Sequence, residues 1–260
     1  MKQTEDPHIL VLGSGTSQSL ADRACPALLL RTGRDLTLLD MGPGTLGRLA
    51  KAGVPHSDLN RILITHFHPD HTAGLIHFLF ATRHPPALSV RKPFRLVGPE
   101  GTGRLLSGLE QAYGRWIRLP SHVMEVEEWP LNSEEEKAFG PLRVSAARVR
   151  HTDRSLAYRV STPGRKAIVY SGDTGYCDEL IALANGCDLL ILECSLPEDL
   201  AVEGHLTPRL AGKLAAAAGA AKLLLVHFYP EVLAVDIAAE VRESYQGELV
   251  LGRDLLTVRP

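Results

Sequence analysis

Apolar runs of four to six residues recur along the chain, each bounded by glycine, proline or a charge. Those at 9–12, 27–31, 36–39, 61–64, 94–97, 142–149, 156–160, 166–170, 189–193, 223–226, 249–251 and 255–258 read as β-strands. Helical spacing of apolar positions lies between some of them, at 45–52, 72–82, 102–113, 177–185, 208–218 and 234–245. Pro208 suits the first turn of its helix, with Thr207 as the capping residue before it. The early part is strand-rich and the later strands alternate with helices. That order predicts an α+β fold of two sheets with helices outside, in one domain over 1–260, and not a single doubly wound parallel sheet. The acidic stretch 125–137 reads as a solvated loop, and the basic stretch 83–95 as a loop too.

Composition narrows the class. Hydrophobic residues make up 45% of 260 and charged residues 22%, which is ordinary for a globular chain with a sizeable core. A formal net charge of −2 gives no general attraction for nucleic acid. No apolar stretch is long enough to span a bilayer, and the N-terminal segment lacks the apolar core of a secretory signal. The four cysteines, Cys25, Cys177, Cys187 and Cys194, form no Cys-x-x-Cys pair. Free, mostly buried thiols in a cytoplasmic protein are therefore expected.

Candidate chemistry gathers at 66–71, "HFHPDH", directly behind the strand-like run at 61–64. Histidine is the commonest metal-ligating side chain, and zinc accepts imidazole and carboxylate readily. Pro69 biases His68 away from the helical region, so the segment reads as a loop leaving the strand end. His66, His68, Asp70 and His71 are too many for one tetrahedral ion that keeps an open position, and two ions could share them. Three further strand-like runs also end in a ligand type: His151, Asp173 in "SGDTG", and His227. Gly13-Ser14-Gly15 after the first strand tempts a dinucleotide reading, but Gln18 stands where the third small residue belongs and no helical pattern opens there.

The set His-x-His-x-Asp-His, a lone His151, Asp173 in a Ser-Gly-Asp-Thr turn and His227 resembles the metallo-β-lactamase superfamily across nearly the whole chain. The resemblance implies an αββα sandwich with a dinuclear metal site at one edge. It assigns His66, His68 and His151 to one metal, Asp70, His71 and His227 to the other, and Asp173 as the bridge. It places Asp40 behind a ligating histidine and counts Asp70 among the catalytic residues as well as the ligands. The Gly-rich "LGSGTSQS", Glu193 in "LLILECS" and His205 in "EGHLT" resemble the ribonuclease Z-like branch, in which the histidine reaches the scissile phosphate and the glutamate holds it.

The implied chemistry is hydrolysis by a hydroxide held between two divalent ions, zinc first and manganese or iron as alternatives, with His205 tending the leaving oxygen. Members that process tRNA commonly carry a long arm between the positions of His151 and Asp173. Here 152–172 are consumed by a strand, a Pro163-Gly164 turn and another strand. A small or cyclic phosphodiester is thus the leading substrate. A ribonuclease Z-type endoribonuclease is the runner-up, with RNA the less favoured partner. Thioester hydrolysis of the glyoxalase II type and a non-catalytic metal-binding module follow. A homodimer is implied by resemblance only.

Overall fold

The structure, a computed structural model, describes residues 6–132 and 135–260. The chain first lays down β1 (His8–Gly13), β2 (Ala27–Thr32), β3 (Asp35–Leu39), β4 (Arg61–Leu63), β5 (Phe94–Pro99) and β6 (Met124–Trp129) side by side in one sheet. It then lays down β7 (Lys137–Phe139), β8 (Leu142–Arg148), β9 (Leu156–Ser161), β10 (Ala167–Tyr170), β11 (Leu189–Glu193), β12 (Lys222–Val226) and β13 (Glu248–Leu251) in a second. The last strand, β14 (Thr257–Val258), returns to pair with β1. Each sheet is mixed. Antiparallel neighbours lead into a parallel run, β3 to β6 in the first and β10 to β13 in the second.

Helices cover the outer faces. α1 (Thr45–Lys51), α2 (Pro69–Thr72), α3 (Gly74–Arg83), α4 (Pro85–Val90) and α5 (Thr102–Tyr113) belong to the first half of the chain. α6 (Asp178–Ala184), α7 (Pro208–Ala217) and α8 (Ile237–Arg242) belong to the second. Successive strand side chains point to opposite faces, and here both faces are buried. In β11, Leu189 and Ile191 enter the core between the sheets, whereas Leu190 and Leu192 pack under the second group of helices. A third cluster lies between the first sheet and α1, α3 and α5, with Leu38, Ile62, Leu75 and Phe78 among its members. Three apolar cores between four layers make the expected αββα sandwich.

Three local expectations need correction. Pro69 does not keep 69–71 in a loop. His68 is extended (φ −61°, ψ 145°) as its proline neighbour demands, but Pro69 itself opens α2 at the position where a missing N–H costs nothing. The acidic stretch is not one solvated loop either. Its first part is β6, and Lys137 begins β7, whereas 133–134 lie outside the described residues. The glutamates of β6 are tolerated because the strand is at the sheet edge. Glu125 and Glu127 pair with Arg95 and Lys137, and Glu128 accepts the Gly103 N–H at the start of α5.

The basic stretch 83–95 contains α4 and the start of β5; Arg83 and Arg95 make surface contacts with Arg118 O and Glu125, and Arg91 turns inward. Arg91 is buried, donates to the carbonyls of His56 and Leu59, and lies over the Phe94 ring. Thr207 caps α7 as expected, accepting the Leu210 N–H at 3.3 Å. The four cysteines are free. Among the described residues no helix is long and apolar enough to cross a membrane.

Candidate metal centre

Topology brings the candidate residues together. β1, β3 and β4 run in one direction, so the loops at their C-terminal ends open on a shared edge. β8, β10, β11 and β12 do the same in the second sheet. Asp40 follows β3, and His66 to His71 follow β4. His151 follows β8, Asp173 follows β10, Glu193 ends β11 and His227 follows β12. Hydrogen bonds across the sandwich fix the edge: Leu156 N–H to Thr65 O, Tyr158 Oη–H to Ile64 O, and Phe228 N–H to Ser14 O. The Gly13–Gly15 turn therefore serves the packing of this edge.

Two groups of side chains converge there. His66, His68, His151 and Asp173 form one, and Asp70, His71 and His227 the other. Asp173 Oδ2 stands 3.9 Å from His66 Nε2 and 3.8 Å from His151 Nε2. Its other oxygen, Oδ1, stands 3.2 Å from His71 Nε2 and 3.3 Å from His227 Nε2. Asp70 Oδ2 is 3.6 Å from His227 Nε2, and His68 Nδ1 is 3.1 Å from His151 Nε2. None of His8, His56, His77, His84 or His122 joins either group.

The far nitrogens of the rings define the proton positions. His71 Nδ1 lies 2.8 Å from Asp40 Oδ2, and His151 Nδ1 lies 3.0 Å from Gly204 O. Both partners only accept, so Nδ1 carries the hydrogen. Thr65 donates its hydroxyl to Asp40 and accepts from His66 Nδ1 at 3.0 Å. Ser195 donates to Glu193 Oε2 and accepts from His227 Nδ1 at 2.9 Å. Each arrangement leaves an Nε2 lone pair aimed into the centre, as a ligating imidazole requires. The Nε2 atoms of His66, His71 and His227, and Asp173 Oδ1, are buried without a hydrogen-bond partner. Buried polar atoms are rarely left so, and here they converge on one space.

Charge divides the rings: some stand ready as neutral ligands, and His71 would release a proton when a cation binds. Burial works against the Asp173 carboxylate, but His227 and His71 outweigh it and hold its carboxyl well below the usual range. Burial opposes a proton on His71 too. Asp173 and Asp40 overcome that and raise it well above an ordinary histidine. Burial lowers His66 and His151 toward the neutral form that binds metals. A centre of carboxylates and imidazole nitrogens, buried at His66, His71, Asp173 and His227 and open to solvent at His68, fits divalent cations.

Asp40 and His227 adopt positive φ (58° and 62°), a backbone uncommon for residues with a side chain. Asp40 is fully buried and accepts from Thr65 N–H, Thr65 hydroxyl, His71 and Tyr170 Oη. His205 is brought to the second group, stacked on His227 at 6.1 Å, with its Nδ1 2.8 Å from Glu193 Oε1. Burial disfavours its charge, but the hydrogen bond and charge of Glu193 prevail and push it up to about 9. Glu193 also accepts the Thr174 N–H, so one carboxylate ties together the turn after β10, His205 and, through Ser195, His227. Sequence reading missed Thr65, Tyr170 and Ser195. Ser195 carried a faint signal two positions beyond Glu193, and the others carried none.

A family model described as "Beta-lactamase superfamily domain" matches residues 37–228, which include all of the candidate ligands. The chain is similar to an uncharacterized protein of Mycobacterium tuberculosis, 32% identical over 246 residues that cover 92% of this chain and 87% of that one. It is similar to the ribonuclease Z of Mycobacterium marinum, 29% identical over 269 residues, 95% of this chain and 96% of that enzyme. The fold matches the metallo-beta-lactamase fold protein YhfI from Bacillus subtilis at a TM-score of 0.84 and 23% identity, covering 98% of this chain and 100% of that one. With this match over the larger part of its length, around this candidate metal centre, the chain belongs to the metallo-β-lactamase superfamily of metal-dependent hydrolases and is ribonuclease Z-like within it.

Proposed function

We propose that the chain is a phosphodiesterase for small or cyclic phosphodiesters that works with two divalent cations side by side. The observation that carries the reading is the division of the Asp173 carboxylate, one oxygen toward His66 and His151 and the other toward His71 and His227. His66, His68 and His151 would hold one cation, Asp70, His71 and His227 the other, and Asp173 both. The nitrogen and oxygen donors suit zinc best, with manganese or iron as alternatives. When bound, such a pair supplies a nucleophile at neutral pH and clamps the oxygens of an in-line displacement at phosphorus.

The chain's own residues do the rest. Asp40, Thr65 and Ser195 fix ring orientation and tautomer, so the ligand atoms are preorganised. His205 is not needed by either ligand group. With Nδ1 held by Glu193, its other ring nitrogen is left to act at the leaving oxygen. Glu193 positions it.

A ribonuclease Z-type endonuclease is the second reading, favoured by the similarity to the mycobacterial enzyme of that name. Between His151 and Asp173, however, the chain is taken up by β9, a tight turn and β10.

Metal analysis after reloading the chelated protein with zinc tests the centre, and bis(p-nitrophenyl) phosphate, cyclic nucleotides, pre-tRNA and thioesters test the substrate. Two metals per chain are expected, with hydrolysis of the small diesters. Asp173→Ala should lose at least one metal and abolish turnover. A single metal per chain, unchanged by Asp70→Ala, would overturn the paired-cation reading.

A further inference from the structure

A cavity of about 1250 Å³ opens beside the metal centre, walled by the loops after β8, β10 and β11. His151 and His205 stand together on its wall, their rings 4.7 Å apart, so the cavity adjoins the centre on the side where His205 sits. The walls are fixed to one another. Gly175 N–H donates to Arg150 O at 2.7 Å, and His151 donates to Gly204 O at 3.0 Å. The loops approach so closely that a Cβ on Gly204, itself at φ +86°, would stand 3.3 Å from the His151 ring.

Two features of the wall bear on what it accepts. Tyr176 and Val202 line it while 36% and 54% exposed, large apolar surface left facing open space. Its charges are mixed, and the carboxylates of Asp153, Glu179 and Glu203 outnumber Arg148 and Arg150. None of these five is in an ion pair among the described residues.

We propose that this cavity is the leaving-group subsite, and that it selects an uncharged leaving alcohol with a flat aromatic face, a nucleoside in chemical class, over one that carries a further phosphate. The inference rests on the phosphodiesterase reading and on His205 facing the leaving oxygen. An exposed tyrosine offers a stacking face that every base or aryl ring can use. Free carboxylates accept hydrogen bonds from sugar hydroxyls and repel a second phosphate, and the two arginines do not cancel them. Tyr176 and Val202 act on specificity, and Asp153, Glu179 and Glu203 act against continuing polyanions.

The metal-loaded chain is assayed on the dinucleoside monophosphate ApA and on pApAp, in which both ends carry an added phosphate, so the extra charge enters the subsite in either orientation. ApA should be preferred at least tenfold in kcat/KM. Tyr176→Ala should raise KM for ApA roughly tenfold with a smaller change in kcat, the size expected of one lost stack. The triple variant Asp153→Asn, Glu179→Gln, Glu203→Gln should narrow the ApA preference several-fold. Equal rates on the two substrates, or a Tyr176→Ala enzyme with unchanged KM, would overturn the proposal.

Calorimetric titration with adenosine provides a readout that needs no turnover. Wild type should bind adenosine, and Tyr176→Ala should weaken that binding about tenfold. If the metal-loaded chain binds adenosine through Tyr176 but cleaves neither diester, the subsite stands and the phosphodiesterase reading falls. If it cleaves both alike and does not bind adenosine, the reverse holds.

Discussion

At His205 the nitrogen toward Glu193 is already committed, 2.8 Å from the carboxylate. The other is therefore the atom with work left to do. A general acid at a leaving oxygen is typically worth about 10²–10⁴-fold. His205→Ala should lower turnover on an alkyl or nucleoside ester by that order with both metals retained. The loss should be much smaller on a p-nitrophenyl ester, whose leaving group departs without a proton. Equal losses would replace the acid role by phosphate positioning, and loss of metal would make His205 a ligand. That outcome has a geometric basis, since His205 also lies in a group with Asp173 and His227. The candidate ligands were legible in the sequence because histidine is scarce and each stood just past an apolar run. Tyr170 was not. Its hydroxyl donates to Asp40 from 130 positions away, and nothing local in "IVYSGD" distinguishes it from a core tyrosine.

Elements were legible where apolar periodicity carried them and obscure where packing overrode composition. The run "LLILE" reads as a strand from any window, whereas β6, "MEVEEW", looks like a polar loop. Its acids find Arg95, Lys137 and the start of α5, partners that only the fold supplies. What anchors β6 is Trp129, fully buried between the sheets, 6.2 Å from Phe139 and 6.1 Å from Tyr158 in ring separation. Removing an aromatic side chain from such a core costs about 3–5 kcal/mol. Trp129→Ala should lower the urea midpoint by a corresponding amount with the slope of the transition unchanged. A loss under about 1 kcal/mol would mean that β6 is held by its ion pairs and backbone instead. The same override explains α4. Arg91 reads as a solvated cation, yet it serves as a buried bracket between His56, Leu59 and Phe94.

At the scale of the whole molecule the sequence carried the two-sheet arrangement, because a strand-rich early part gives way to strands alternating with helices, and the resemblance carried the αββα order. The direction of each strand was not legible, yet direction is what gathers the candidate ligands. β8 and β10 place His151 and Asp173 at one edge only because β9 runs back between them. The hairpin of β9 and β10 that accomplishes this also occupies the stretch where an RNA-gripping arm would be inserted. RNA affinity grows with the number of phosphates neutralised by free cations. Here the net charge is −2 and the cavity beside the centre carries more carboxylates than arginines. Arg83, Arg91 and Arg95, the densest basic stretch, are engaged with Arg118 O, His56 O and Glu125. Pre-tRNA should therefore be cleaved with a kcat/KM at least a hundredfold below that for a small phosphodiester. Its binding should change little between about 0.05 and 0.2 M salt, where a protein with 6–10 phosphate contacts loses roughly 10³–10⁵ in affinity. The comparison is made on one metal-loaded preparation with both substrates at matched ionic strength. Efficient cleavage of pre-tRNA at a single position, with a steep salt dependence, would place the chain with the ribonucleases instead. The cations responsible would then be sought first at Lys92, exposed in the basic stretch, and at Arg148 and Arg150 on the cavity wall.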